Sequence, residues 1–171
     1  MGPMKIIVFS DTHGSSIAAN ALRRLEEKYS PDLYFCLGDI LAAGEGSEII
    51  QFFQLHSSKI VAVKGNCDSR YDESLLNVAL REQRSFDYLG HTCHLRHIPF
   101  YDAISFPPSH IVMYGHTHRK VLYSEKGVLY LNPGSLALPR DGIASYALME
   151  DGVITLRERD TDAILHEFRY F

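Results

Sequence analysis

Three short β-branched, apolar runs, each ending in a polar cluster, constrain this chain more than any other feature. Residues 5–9, 33–37 and 59–63 are too short and too evenly apolar for amphipathic helices, and they read as buried strands. They end in Ser10-Asp11-Thr12-His13-Gly14, Gly38-Asp39 and Gly65-Asn66-Cys67-Asp68. After the first cluster, Ile17, Ala18, Ala21, Leu22 and Leu25 fall on one helical face; Ser15 or Ser16 can cap the helix and Pro31 closes it. A second helix is predicted over 47–55. This βαβαβ order predicts parallel strands covered by helices, and such sheets bind ligands outside the carboxyl ends of their strands. The three polar clusters therefore meet on one rim.

Beyond residue 70 the texture changes. A third helix is predicted over 72–80, carrying Leu75, Leu76, Ala79 and Leu80. Residues 85–88, 92–97, 110–114, 121–124, 128–131, 144–149 and 153–158 then read as strands, with Glu125-Lys126-Gly127 and Glu150-Asp151-Gly152 as hairpin turns. Two sheets packed face to face would bury this many strands. The expected fold class is α/β, a four-layer α/β/β/α sandwich of two mixed β-sheets flanked by helices. It is expected to occupy residues 4–171 as one domain, with Met1-Gly2-Pro3 ahead of Met4 read as an appended remnant.

Composition narrows the function. With 46% hydrophobic residues in 171, the chain can bury a sizeable core. A formal net charge of -4 argues against a nonspecific grip on nucleic acid or an anionic membrane, so neither is an expected partner. Any phosphate must be held locally. Cys36, Cys67 and Cys93 are an odd number without a C-x-x-C pair, which suits a reducing compartment and a cytoplasmic location. No apolar run approaches the ~20 residues that span a bilayer.

In an extended segment residues two apart point the same way, so Asp11 and His13 can act together, as can His116 and His118 in Gly115-His116-Thr117-His118. Either pair alone would more often be a turn with a solvated imidazole. What joins them is the series D-x-H, G-D, G-N-x-D and G-H-x-H, each just after a predicted strand. Asp39, at a strand end, can supply the anionic bridge that two metals about 3.5–4 Å apart require, and Asn66 adds a neutral oxygen. Imidazole and oxygen donors without thiolate suit Mn, Fe, Co, Ni or Zn, with Mn placed first.

That series resembles the calcineurin-like metallophosphoesterase superfamily, and within it the small YfcE-type phosphodiesterase branch, where G-N-C-D and a later N-P-G-S also occur. The likeness runs from Met4 to about Tyr146. It implies two divalent metal ions. Asp11, His13 and His118 would hold the first, Asp39 would bridge, and Asn66 and His116 would hold the second. The family also places a histidine at a strand end between the third and last motifs. His97 closes its predicted strand and leads, ahead of His94 and then His91, which falls in the turn Leu89-Gly90-His91-Thr92. Ile98 and Pro99 replace the glycine and second histidine that ordinarily follow.

The resemblance implies hydrolysis of a small or activated phosphodiester by a metal-bridging hydroxide. Two divalent ions, Asp11, Asp39 and that hydroxide would leave the site with a charge of about +1, enough to attract a phosphate. The candidate catalytic residues are Asn66, Cys67 and Asp68. Cys67 stands where many relatives carry a histidine that protonates the leaving oxygen, and a thiol of pKa ~8.5 is a weaker donor. Asp68 is read either as an orienting group or as a loop-stabilising carboxylate. Asn132-Pro133-Gly134-Ser135 reads as a turn bracing the site, while Arg140, His56, His110 and His166 read as structural or surface groups. A homo-oligomer is left open. The alternative reading is a protein-interaction scaffold like the retromer subunit Vps29.

Overall fold

The computed structural model describes residues 4–41, 46–100 and 105–170; the proposed remnant at 1–3 lies outside them. β1 (Ile6–Phe9), β2 (Leu33–Cys36) and β3 (Ile60–Val63) pair in parallel, and β4 (Leu80–Arg81) adds a fourth parallel strand. On the other side of β1, β10 (Ser145–Glu150), β11 (Val153–Glu158) and β12 (Ile164–Arg169) run antiparallel, giving the order β12-β11-β10-β1-β2-β3-β4. The second sheet has the order β5-β6-β7-β9-β8, formed by β5 (Gln83–Tyr88), β6 (His91–Arg96), β7 (Ile111–Met113), β8 (Lys120–Glu125) and β9 (Val128–Pro133). In it β6, β7 and β9 are parallel.

Alternation along β1 and β2 shows how the layers are built. Ile6, Val8 and Phe35 face the second sheet, where they meet Cys93, Leu95, Ile111, Met113 and Leu131. Ile7, Phe9 and Tyr34 face the other way, onto Leu22, Leu25, Phe52 and Phe53 of the helices. These are α1 (Ser16–Tyr29), α2 (Ser47–Leu55) and α3 (Arg70–Leu76), and all three contribute only to this outer core. The fold is the expected α/β class of two mixed sheets flanked by helices, but among the described residues the helices cover the seven-stranded sheet alone, so the second outer helical layer of the expected four-layer sandwich is not among them. Ser15 caps α1 by accepting from Ala18 N–H, a contact worth about 1 kcal/mol.

The elements differ from expectation at four places. The helix expected over 72–80 is α3, starting two residues earlier through a Ser69–Asp72 capping box and ending at Asn77 in a left-handed cap. Leu80 therefore lies on a strand. Ile17, expected on the apolar face of α1, is 58% exposed, because it sits in the first turn, where the helix reaches the sheet's rim. β4 and β12 were not foreseen: one is two residues long, and the other is an edge strand whose residues are nearly all exposed.

Candidate metal centre

The parallel strands of both sheets deliver their carboxyl ends to one rim. Asp11 follows β1, Asp39 follows β2, Asn66 follows β3, His97 follows β6, and His116 and His118 follow β7. Backbone hydrogen bonds lock these turns together: Asp11 N–H donates to Gly38 O (3.0 Å), His13 N–H to Asp39 O (3.1 Å) and Gly115 N–H to His97 O (2.9 Å). The approach is close enough to require glycine at 38, 65 and 115; a Cβ on Gly38 would stand 2.7 Å from Gly65 N. A Cβ on Gly65 would stand 2.2 Å from Asp39 N and Oδ1, and one on Gly115 would stand 2.2 Å from Ser10 Oγ.

Two groups of donors result. Asp11, His13 and His118 each bring a ligand atom within 4.8 Å of the others, and so do Asp39, His97 and His116. Asn66 Oδ1 joins the second group, 2.9 Å from His97 Nε2 and 3.1 Å from His116 Nδ1. His13 Nε2 lies 3.8 Å from Asp11 Oδ1 and 4.0 Å from Asp39 Oδ2, close to both groups. Of the three candidate histidines on or just after β6, His97, which follows the strand, enters the site. His94 Nε2 instead meets His110 Nδ1 at 2.8 Å on the far face of the sheet, and His91 Nδ1 meets Ser109 O at the strand's other end.

The hydrogen bonds suit a cation. His97 Nδ1 is 2.5 Å from Leu37 O and His118 Nδ1 is 2.6 Å from Leu138 O. A carbonyl can only accept, so both Nδ1 atoms carry the proton and both Nε2 atoms turn lone pairs inward. His118 Nε2 then faces His13 Nε2 at 3.3 Å and Asp11 Oδ1 at 3.4 Å. Asp11 Oδ1 is buried and accepts no hydrogen bond. Acceptors crowded against acceptors need a positive charge between them, and the donor set of imidazoles, carboxylates and one amide fits the divalent metals expected.

Charge at the site agrees. Burial opposes ionisation of Asp11, yet His118, His13, His97 and Ser10 together hold it far below the ordinary carboxylate value. Burial likewise opposes ionisation of Asp39, and its contacts with His97 and Cys67 N–H outweigh that. For His118, the Asp11 carboxylate facing it raises the pKa above 6.5 despite burial. For His97, burial works downward and Asp39 and Asp11 more than offset it.

The remaining residues play different parts. Asp68 turns away from the opening: its carboxylate accepts from Gly65 N–H (2.7 Å), Ile40 N–H (2.8 Å) and Asp39 N–H (2.9 Å), tying the β2 and β3 turns together. Burial outweighs those donors and keeps its pKa raised. Cys67 is exposed beside Asn66, and partial desolvation of its sulfur together with the Asp39 charge pushes the thiol pKa upward. Ser135 Oγ donates to Asp11 O (2.8 Å), and Asn132 Nδ2 donates to Gly115 O (3.1 Å), so the N-P-G-S turn braces both halves of the site. Arg140 donates its backbone N–H to His118 O (2.9 Å), and its side chain is exposed. His56 packs on Phe52, and His166 lies on exposed β12.

The expectation that Asp11 with His13, and His116 with His118, align on extended backbone is not met: both pairs lie in turns. Asp11, His13, Asp39, His116 and His118 all have φ between 46° and 69°, the left-handed region. Each such residue costs about 1–3 kcal/mol and persists only where its surroundings dictate it. Glycines at 38, 65 and 115 hinted at tight turns, but nothing in the sequence marks their neighbours as left-handed.

Two face-to-face mixed sheets with seven histidine, aspartate and asparagine donors gathered at their strand ends define a phosphoesterase architecture. Residues 4–151 match the calcineurin-like phosphoesterase superfamily domain, and the chain belongs to that superfamily. It is 29% identical, over an alignment 181 positions long, to phosphodiesterase YfcE of Escherichia coli (strain K12), covering 95% of this chain and 96% of the relative. It superimposes on the solved structure of the E. coli phosphoesterase Yfce with a TM-score of 0.91, at 24% identity over 97% of this chain and 99% of that one. Zn-complexed Vps29 of Entamoeba histolytica shares the fold at a TM-score of 0.69 and 18% identity, over 98% of this chain and 100% of that one.

Proposed function

We propose that this chain is a metal-dependent phosphodiesterase that hydrolyses a small or activated phosphodiester in the cytoplasm. The convergence of two three-residue donor groups on one rim carries the reading, and the similarity to phosphodiesterase YfcE supports it. Asp11, His13 and His118 would hold one divalent ion, and Asn66, His97 and His116 a second, with Asp39 between them. Two such ions would polarise the phosphoryl oxygens and supply a bridging hydroxide as nucleophile at neutral pH. The protein's own part is to fix that arrangement. Leu37 O and Leu138 O hold the tautomers of His97 and His118, Asp68 fixes the turn bearing Asn66, and Asn66 with Cys67 borders the position of the phosphoryl group. A protonated thiol at position 67 is a weak acid for the leaving oxygen, so stable leaving groups are favoured.

The test is hydrolysis of a chromogenic diester and a chromogenic monoester by metal-stripped protein, with Mn, Fe, Co, Ni and Zn restored singly. Diester hydrolysis that returns with metal supports the enzyme, Mn being expected to serve best. A second reading, a binding scaffold, draws on the Vps29 fold likeness and on the cysteine that stands at position 67 in place of a histidine. Metal binding without hydrolysis of either ester would favour it.

A further inference from the structure

Beside the second donor group the rim opens into a cleft of about 390 Å³, walled by Lys64, Glu82, Arg96 and Ile98 and reaching Asn66 and His97. Its place follows from topology. The chain leaves the seven-stranded sheet at β4 and enters the five-stranded sheet at β5, so Glu82 lies on the crossing where the two sheet edges part. A second hollow of about 220 Å³ shares Lys64 and Glu82 and continues past Ser69 and Arg70. The first hollow alone falls in the range of pockets that enclose small organic ligands, far more room than a phosphoryl group held at the metals would need. It is room for an ester arm.

We propose that this cleft receives one arm of the diester and that the arm carries a second negative charge, held by Lys64. The inference rests on the phosphodiesterase reading. Two of the lining charges are positive and one is negative. Arg96 is turned onto its own loop: Nε donates to Ile98 O (3.0 Å), a terminal nitrogen donates to Pro99 O (2.8 Å), and the guanidinium stacks 4.1 Å from the Phe100 ring centroid. It shapes the wall and adds positive potential. Lys64 lines the cleft and makes no ion pair or side-chain hydrogen bond among the described residues, so its ammonium is not committed elsewhere among them. Ile98, 40% exposed, offers an apolar surface beneath the arm. Glu82 repels an anion placed away from Lys64, which makes the lining selective for where the charge sits.

The experiment uses the metal-loaded full chain hydrolysing bis(p-nitrophenyl) phosphate, inhibited by either 2-carboxyethyl phosphate or 2-carbamoylethyl phosphate. These share the phosphate and the arm length and differ in the arm's charge. The carboxylate should bind about fivefold more tightly, the size of an ion pair at a partly exposed site. Lys64→Met should bring the two inhibition constants together, and Glu82→Gln should widen the gap. Equal constants in the native chain, or a preference that survives Lys64→Met, would overturn the inference while leaving the hydrolase intact. Failure to hydrolyse the diester with any metal would defeat the underlying reading, and this inference with it.

Discussion

At the scale of single residues, Asp39 bears the most. Its Oδ1 accepts from Cys67 N–H at 2.9 Å while Oδ2 faces His97 at 3.3 Å and His13 at 4.0 Å, so one carboxylate touches both donor groups. Asp39→Asn keeps the shape and an acceptor for Cys67 N–H but removes the charge. The expected result is loss of both metals, seen as bound metal per chain, and a fall in activity of at least about 10²-fold with the fold retained. Two metals bound at full activity would refute the bridging role. Cys67→His asks a different question. Position 67 is exposed and can take an imidazole, but Asp68 is already committed to three backbone N–H groups and cannot orient it. The variant should therefore gain on poor leaving groups by less than the ~10²- to 10⁴-fold that a well-placed general acid gives. Steady-state rates on paired esters of good and poor leaving groups, with metal content checked, decide it; an unchanged ratio means position 67 does not set leaving-group preference.

At the scale of elements, what the sequence revealed depended on whether burial left a period to read. β1, β2 and β3 are apolar because both faces are covered, and their ends announce the site through D-x-H, G-D and G-N-x-D. β12 escaped because an edge strand buries little, and β4 because two residues carry no pattern. α3 was placed too far along because Leu80 continues its helical spacing by chance, whereas Asn77 at φ 57° ends it. The three candidate histidines on and just after β6 could not be separated by type. Only the strand's register decides that His94 points away to stack on His110, with rings 5.1 Å apart, and that His97 turns in. That outer pair has its own consequence. Burial, with His110 beside it, lowers the His94 pKa below 6.5, so folding favours its neutral form. The stability this contributes is present above the unfolded value near 6.5 and is lost as pH falls below it through the lower folded value. Urea midpoints of the native chain should therefore drop more between pH 7 and pH 5 than those of His94→Gln. Equal drops would show that the pair does not sense pH.

At the scale of the molecule, neither sheet holds a complete donor group. Asp11 and His13 come from the seven-stranded sheet and need His118 from the other; Asp39 and Asn66 come from the first and need His97 and His116 from the second. The sequence order of the motifs was legible, but this division was not, because it depends on which strands pair rather than on any residue type. The two sheets are otherwise joined by the apolar layer between them, including the edge-to-face contact of Phe35 with Phe86 at 5.3 Å. A metal held by both sheets binds the folded state and has no equivalent site once they separate, so binding must appear as stability. At a free concentration of about 100 times its dissociation constant, one ion should add ~2.7 kcal/mol. For a chain of this length that corresponds to a rise in Tm of roughly 5–10 °C per site. Calorimetry of stripped protein with Mn, Co, Ni or Zn restored should show this rise, a chelator should reverse it, and Asp39→Asn should forfeit most of it. A Tm unmoved by every metal, with the chain folded throughout, would mean that the donors meet at the rim without joining the sheets through an ion.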